Sequence, residues 1–153
     1  MDARRITDEI SVAPQITPQD VAEAARAGFR AIVCNRPDGE GADQPTFEEI
    51  EAEAEKHGMK AAYIPVVAGR VRDDDATAFG AALTTLPGPV LAYCRTGTRS
   101  ATLWSLAQAD TRPLPDILAA TQGAGYDMNG VARRIANGGK TPTDEADASF
   151  DVV

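Results

Sequence analysis

Apolar residues fall in two spacings along this chain, and the alternation between them marks its elements. Three short runs are apolar in their interiors: "RAIVCN" (30–35), "KAAYIPV" (60–66) and "VLAYC" (90–94). Runs of this length, bounded by Gly or Pro, predict strands, with "RAIVCN" as a buried one. Between them the apolar residues recur at helical spacing. Thr17 followed by Pro18, Gln19 and Asp20 predicts a capped helix start, and Gly28 its stop. Thr46 with Glu49 three residues later predicts a capping box for a second helix that runs to His57 and ends at Gly58. A third helix is predicted from about Ala76 to Leu86, after "AGRVRDDD", one of whose aspartates serves as cap, and "PGP" then turns the chain into the last strand. Further helices are predicted to start near Ser100 and to cover Pro115 to Ala120 and Met128 to Asn137. Strands alternating with helices imply an α/β domain whose mainly parallel central sheet is flanked by helices on both faces.

Composition narrows the setting. The 153 residues, 43% of them hydrophobic, suffice for one core. The domain is expected over residues 1–137, with the polar stretch "GGKTPTDEADASFDVV" (138–153) as a flexible tail. A net charge of −8 argues against nucleic acid and anionic membrane as partners. No apolar run reaches membrane-spanning length, and the N-terminus lacks a signal-like apolar segment, so a cytoplasmic location is expected. The two cysteines, Cys34 and Cys94, have no metal-ligand spacing and are expected as free thiols; no metal and no cofactor are expected.

The candidate chemistry lies in "VLAYCRTGTRS" (90–100). A strand ends in Cys94, a short loop holds Arg95, Thr96, Gly97 and Thr98, and Arg99 and Ser100 lead into a helix. Such a loop gathers backbone N–H groups at the carboxyl edge of the sheet, where α/β proteins bind ligands. The helix dipole, the amides and Arg99 all favour negative charge, which suits Cys94 to be an accessible thiolate nucleophile. Gly97 allows the curl, Thr96 and Thr98 brace it, and Ser100 donates to the sulfur or caps the helix. Arg95 steers anions to the mouth or is merely solvated.

These residues carry two resemblances. "CRTGTRS" resembles the active loop of rhodanese-type sulfurtransferases, Cys-Arg-x-Gly-x-Arg, which carries a persulfide on its cysteine. "ISVAPQITPQDVAEAARAGFRAIVCNRPDGEG", "YIPV" and the cysteine loop together resemble the phosphatase-like domain of the beta-lactamase-hydrolase-like family, over residues 6 to 135. That resemblance implies a protein-tyrosine-phosphatase-like three-layer fold. It also suggests a place in sulfide metabolism, with a persulfide dioxygenase as partner. The phosphatase signature is His-Cys-x5-Arg, whereas here four residues separate Cys94 from Arg99 and Tyr93 precedes the cysteine. The position the family gives to an aspartic acid is held by Val67, Ala68 and Gly69, and the nearest carboxylates are Asp73, Asp74 and Asp75, read as helix cap and first turn. A contracted cradle without an acid favours sulfur transfer, from a small-molecule donor such as thiosulfate or a persulfide to a thiol acceptor such as glutathione, through a Cys94 persulfide. A cysteine-dependent phosphatase and a non-catalytic anion-binding or persulfide-carrier module are the alternatives.

Secondary candidates surround this core. Asn35, Arg36 and Asp38 in "NRPDGEG" should reach the same sheet edge, with Arg36 either binding a substrate anion or bracing the loop through Asp38. Cys34 reads as a buried structural thiol rather than a resolving one. His57, the single histidine, suits the last turn of its helix. Leu103, Trp104 and Leu106 read as core, and Arg133 and Arg134 as a solvated face rather than a rim of the site.

Overall fold

The computed structural model of the protein describes residues 1–143. Five strands form one sheet: β1 (Arg4–Thr7), β2 (Ile10–Ala13), β3 (Ala31–Cys34), β4 (Lys60–Tyr63) and β5 (Val90–Tyr93), in the order β1-β2-β5-β3-β4. Strands β2, β5, β3 and β4 are parallel, and β1 lies antiparallel on the edge beside β2. The three strands expected from the apolar runs are present. The β1–β2 hairpin was not anticipated, because its eight strand residues are interleaved with charge in "RRITDEISVA" and β1 is an exposed edge. It adds an antiparallel strand to the otherwise parallel sheet.

Helices α1 (Pro18–Arg26) and α2 (Phe47–Lys56) cover one face. Helices α3 (Asp73–Thr85), α4 (Thr98–Ala107), α5 (Leu114–Gly123) and α6 (Ala132–Ala136) cover the other, with a single 3₁₀ turn at Asn129–Val131 before α6. Period-two alternation along the strands divides the core accordingly. Ile32, Leu91 and Tyr93 pack with Val21 and Ile50 under α1 and α2. Val12, Val33 and Ala92 pack with Phe79, Leu103 and Trp104 on the opposite face. Leu103, Trp104 and Leu106 are thus core residues, as their spacing indicated.

The predicted caps form in part. Thr17 accepts the Asp20 N–H and the Asp20 carboxylate accepts the Thr17 N–H, closing a box at α1. At α2 Thr46 accepts the Glu49 N–H, which is one half of the box predicted there. Helix α3 starts at Asp73, earlier than its apolar residues suggested, because the Asp75 carboxylate reaches back to the Arg72 N–H at 3.0 Å. The tail assigned to 138–153 divides at the limit of the described residues. Thr141 donates its N–H and hydroxyl to the Asp73 carboxylate, and Lys140 donates to Thr77. Residues 144–153 lie outside the described part. Among the described residues no helix is long and apolar enough to cross a membrane.

Candidate functional site

β5 is the central strand, flanked by β2 and β3, so the segments leaving the carboxyl ends of all three strands converge on Cys94. The chain passes from Tyr93 through Cys94, Arg95 and Thr96 to Gly97, whose φ of 93° makes it the left-handed N-cap of α4. That conformation is routine for glycine and strained for other residues. Here it turns the Gly97 N–H onto the Cys94 sulfur, 3.1 Å away. No side chain caps α4, and the hydroxyls of Thr96 and Thr98 bond each other at 3.1 Å across the curve. The loop therefore directs at least one amide and an uncapped helix start toward the nucleophile, an arrangement suited to anions.

Arg99, buried to 5% exposure, supplies the cation. Its Nη1 donates to Glu40 Oε2 at 2.8 Å and to the Val66 carbonyl at 2.9 Å, and its Nη2 donates to Glu40 Oε1 at 2.8 Å. This is the forked, two-oxygen grip of a guanidinium on an oxyanion. Burial works against the charge on Arg99, but the hydrogen bonds and charge of Glu40, with the nearby Cys94 sulfur, outweigh it and raise its pKa further. The same bond from Arg99, reinforced by Arg36, holds the Glu40 carboxyl below the usual range despite partial burial.

Glu40 is the site residue that sequence reading missed. It pairs with a residue 59 positions away, and attention in "NRPDGEG" had gone to Asp38. The available signal was its spacing of four from Arg36. Gly39, at φ 78°, turns the loop so that Arg36 Nε donates to Glu40 Oε1 at 2.9 Å. Arg36 is buried, and its Nη1 donates to Gln15, so it braces Glu40 rather than facing solvent. The brace expected through Asp38 does not form, since the Asp38 carboxylate accepts the Phe47 N–H and caps α2.

A folded-state pKa held low means that Glu40 stabilises the fold above its unfolded value, about 4.3, and that this contribution is lost as pH falls through the lower folded value. Glu40→Gln keeps the shape and removes the charge. The stability gap between wild type and variant is therefore expected at pH 7 and should close as pH drops below about 4, read from paired thermal melts. A gap independent of pH would show that the charge of Glu40 contributes nothing.

Other candidates sit differently from expectation. Ser100 donates to Asn35 Oδ1 at 2.8 Å instead of to the sulfur, and Asn35 passes the contact on to the Ile64 carbonyl, locking α4 to the ends of β3 and β4. Cys94 was expected to be accessible but has no exposed surface. Arg95 is exposed, and its carbonyl accepts the Gln15 N–H. Cys34 is buried and its thiol donates to the Arg36 carbonyl at 3.3 Å. Burial, first among several causes, raises its pKa, which suits an inert thiol. Tyr93 packs beside it, and burial followed by the charge and contact of Cys34 pushes its phenol well above the ordinary range. Arg134 is not on a solvated face: it is buried and donates to the Val71 carbonyl and to Asp73. With Asp73 bound to Arg134 and Thr141, and Asp75 capping α3, neither of these carboxylates is directed at Cys94. His57 is the exposed C-cap of α2. Among the described residues no cluster of His, Cys, Asp and Glu is suited to a metal ion.

The family model described as "Beta-lactamase hydrolase-like protein, phosphatase-like domain" matches residues 2–111. The beta-lactamase hydrolase-like protein of Xylella fastidiosa (strain Temecula1) is 32% identical over 103 residues, covering 67% of this chain and 24% of that protein. Its counterpart in Agrobacterium fabrum (strain C58) is 35% identical over 109 residues, covering 71% and 25%. The chain thus spans about a quarter of the length of these relatives. A solved structure from Neisseria meningitidis Z2491, described as a phosphatase candidate, superposes with a TM-score of 0.80 at 33% identity and covers 90% of this chain and 99% of its own. Tk-PTP in its active form superposes at a TM-score of 0.68 with 18% identity, covering 89% and 94%, a likeness of fold alone.

These matches bear out the protein-tyrosine-phosphatase-like α/β fold and overturn the sulfur-transfer expectation. The rhodanese likeness rested on seven residues, whereas the phosphatase-like match spans the fold and includes the loop. Rhodanese activity, thiosulfate, a cysteine persulfide and glutathione, which followed from that likeness, are without support, and so is the place in sulfide metabolism that the family resemblance suggested.

Proposed function

Because the chain belongs to the phosphatase-like domain family of beta-lactamase hydrolase-like proteins, we propose that it hydrolyses phosphoric monoesters through a phosphorylated Cys94. The observation that carries this reading is the Gly97 N–H on the Cys94 sulfur with the Arg99 fork beside it, at the carboxyl end of the central strand. In the first step the Cys94 thiolate forms an S–P bond. The P–O bond to the leaving group breaks, and its electron pair departs on the leaving oxygen. Loop amides and Arg99 stabilise the charge on the equatorial oxygens. In the second step water attacks phosphorus, the S–P bond breaks, the pair returns to sulfur, and phosphate leaves as the water gives its proton to solvent. One water is consumed, and an alcohol and inorganic phosphate are released.

The carboxylates bound elsewhere shape the substrate class. Val67, Ala68 and Gly69 offer no acid after β4, and Asp73 is committed to Arg134 and Thr141. A leaving group must then depart as an anion without a carboxylic acid to protonate it, which favours aryl esters and phosphoanhydrides over alkyl esters. Turnover of an aryl phosphate is expected to exceed that of a matched alkyl phosphate by at least about 10²-fold, the share usually supplied by a positioned acid. Equal rates on the two would overturn this substrate class. Hydrolysis of neither would overturn the function.

A further inference from the structure

We infer that Tyr126 is a positioning residue for Cys94, acting through the single peptide group between Thr96 and Gly97. The Tyr126 hydroxyl donates to the Thr96 carbonyl at 3.2 Å, and the N–H of the same peptide donates to the Cys94 sulfur at 3.1 Å. In a trans peptide the carbonyl and the N–H point in opposite directions, so fixing one fixes the other. Tyr126 therefore aims the Gly97 N–H at the sulfur from 30 residues away in sequence. The bond also polarises the peptide, and hydrogen bonds in a chain strengthen one another. The tyrosine thus makes the amide a better donor to a thiolate than loop geometry alone provides.

Packing supports the same arrangement. A Cβ placed on Gly97 would run into the hydroxyl and ring edge of Tyr126, so the ring lies directly on the glycine. Tyr126 is itself held in place. Its N–H donates to the Thr121 carbonyl at the end of α5, and the preceding Gly125, at φ 93°, lies against the Arg4 guanidinium. Burial raises the Tyr126 pKa, which keeps the hydroxyl a proton donor across the neutral range. The titratable groups facing the sulfur are Arg99 from α4, Cys34 from β3 and Tyr126 itself, with Arg4 and Asp2 of the N-terminal strand region behind the tyrosine.

The kinetic part of this inference rests on the proposed hydrolysis, but its main test does not. Cys94 alkylation by iodoacetamide is followed by intact mass across pH for wild type, Tyr126→Phe and Tyr126→Leu, each checked by thermal melting. Phe keeps the ring on Gly97 and removes only the hydroxyl. For Tyr126→Phe, the midpoint of the alkylation profile should move to higher pH, and the rate at pH 7 should fall about three- to tenfold, the range of one hydrogen bond. The kcat for an aryl phosphate should fall by a similar factor with KM little changed. A wild-type alkylation profile in Tyr126→Phe overturns the inference, and so does a shift seen only in Tyr126→Leu, which would assign the effect to packing. If the wild type hydrolyses no phosphate ester while the alkylation profile still shifts, the hydrolase reading falls and the role of Tyr126 stands.

Discussion

Cys94→Ser should abolish hydrolysis of aryl phosphates, with a loss on the order of 10⁴- to 10⁶-fold, while the protein folds as before. The nucleophile must carry an electron pair available near neutral pH, and a serine hydroxyl does not ionise there as a thiol can. The Gly97 N–H and Arg99 favour a negatively charged sulfur but have no comparable alkoxide to stabilise in the variant. Folding should be spared, because the hydroxyl is smaller than the thiol and the Gly97 N–H remains within reach as a donor to it. The test pairs initial rates with thermal melts. A folded serine variant that retains more than a hundredth of wild-type turnover would show that Cys94 is not the nucleophile.

Arg99→Lys should cost about 10²- to 10³-fold in kcat, the typical cost of removing one preorganised stabiliser of transition-state charge. Lysine keeps the positive charge but not the planar fork. The guanidinium places its Nη atoms on Glu40 and the Val66 carbonyl while lying close to the sulfur. A single ammonium cannot span those partners. Glu40 would lose its two-point contact and keep the single bond from Arg36. Kinetics and melts on the same preparation separate the effects, with a large fall in kcat expected beside a modest loss of stability. Wild-type kcat in the lysine variant would show that charge alone suffices.

What was legible in the sequence was contiguous. Cys94, Gly97 and Arg99 lie within six residues, and a strand running into a Gly-containing loop and a helix start fixes their arrangement through backbone geometry alone. Strands β3, β4 and β5 were legible for the same reason, since each lies in a short apolar run with a helix and its cap between it and the next. Residues that act across the fold were not. Glu40 meets Arg99 across 59 positions and Tyr126 meets Thr96 across 30, and no local pattern announces either contact. Ser100 was misassigned because its position at a helix start suggested a cap, whereas tertiary packing turned its hydroxyl to Asn35. The choice of chemistry failed for a related reason. Seven contiguous loop residues carry the rhodanese likeness, whereas the phosphatase-like match extends over the fold and takes in the same loop.

In the proposed hydrolysis phosphorus passes through the Cys94 sulfur. The most direct test is to mix the protein with an excess of aryl phosphate, quench in acid within the first turnovers, and locate any added mass by peptide mapping. One phosphoryl group is expected on the peptide containing Cys94, absent from Cys94→Ser and lost on incubation without acid. Phosphate release with no adduct at Cys94 in the wild type, or an adduct on another residue, would contradict it.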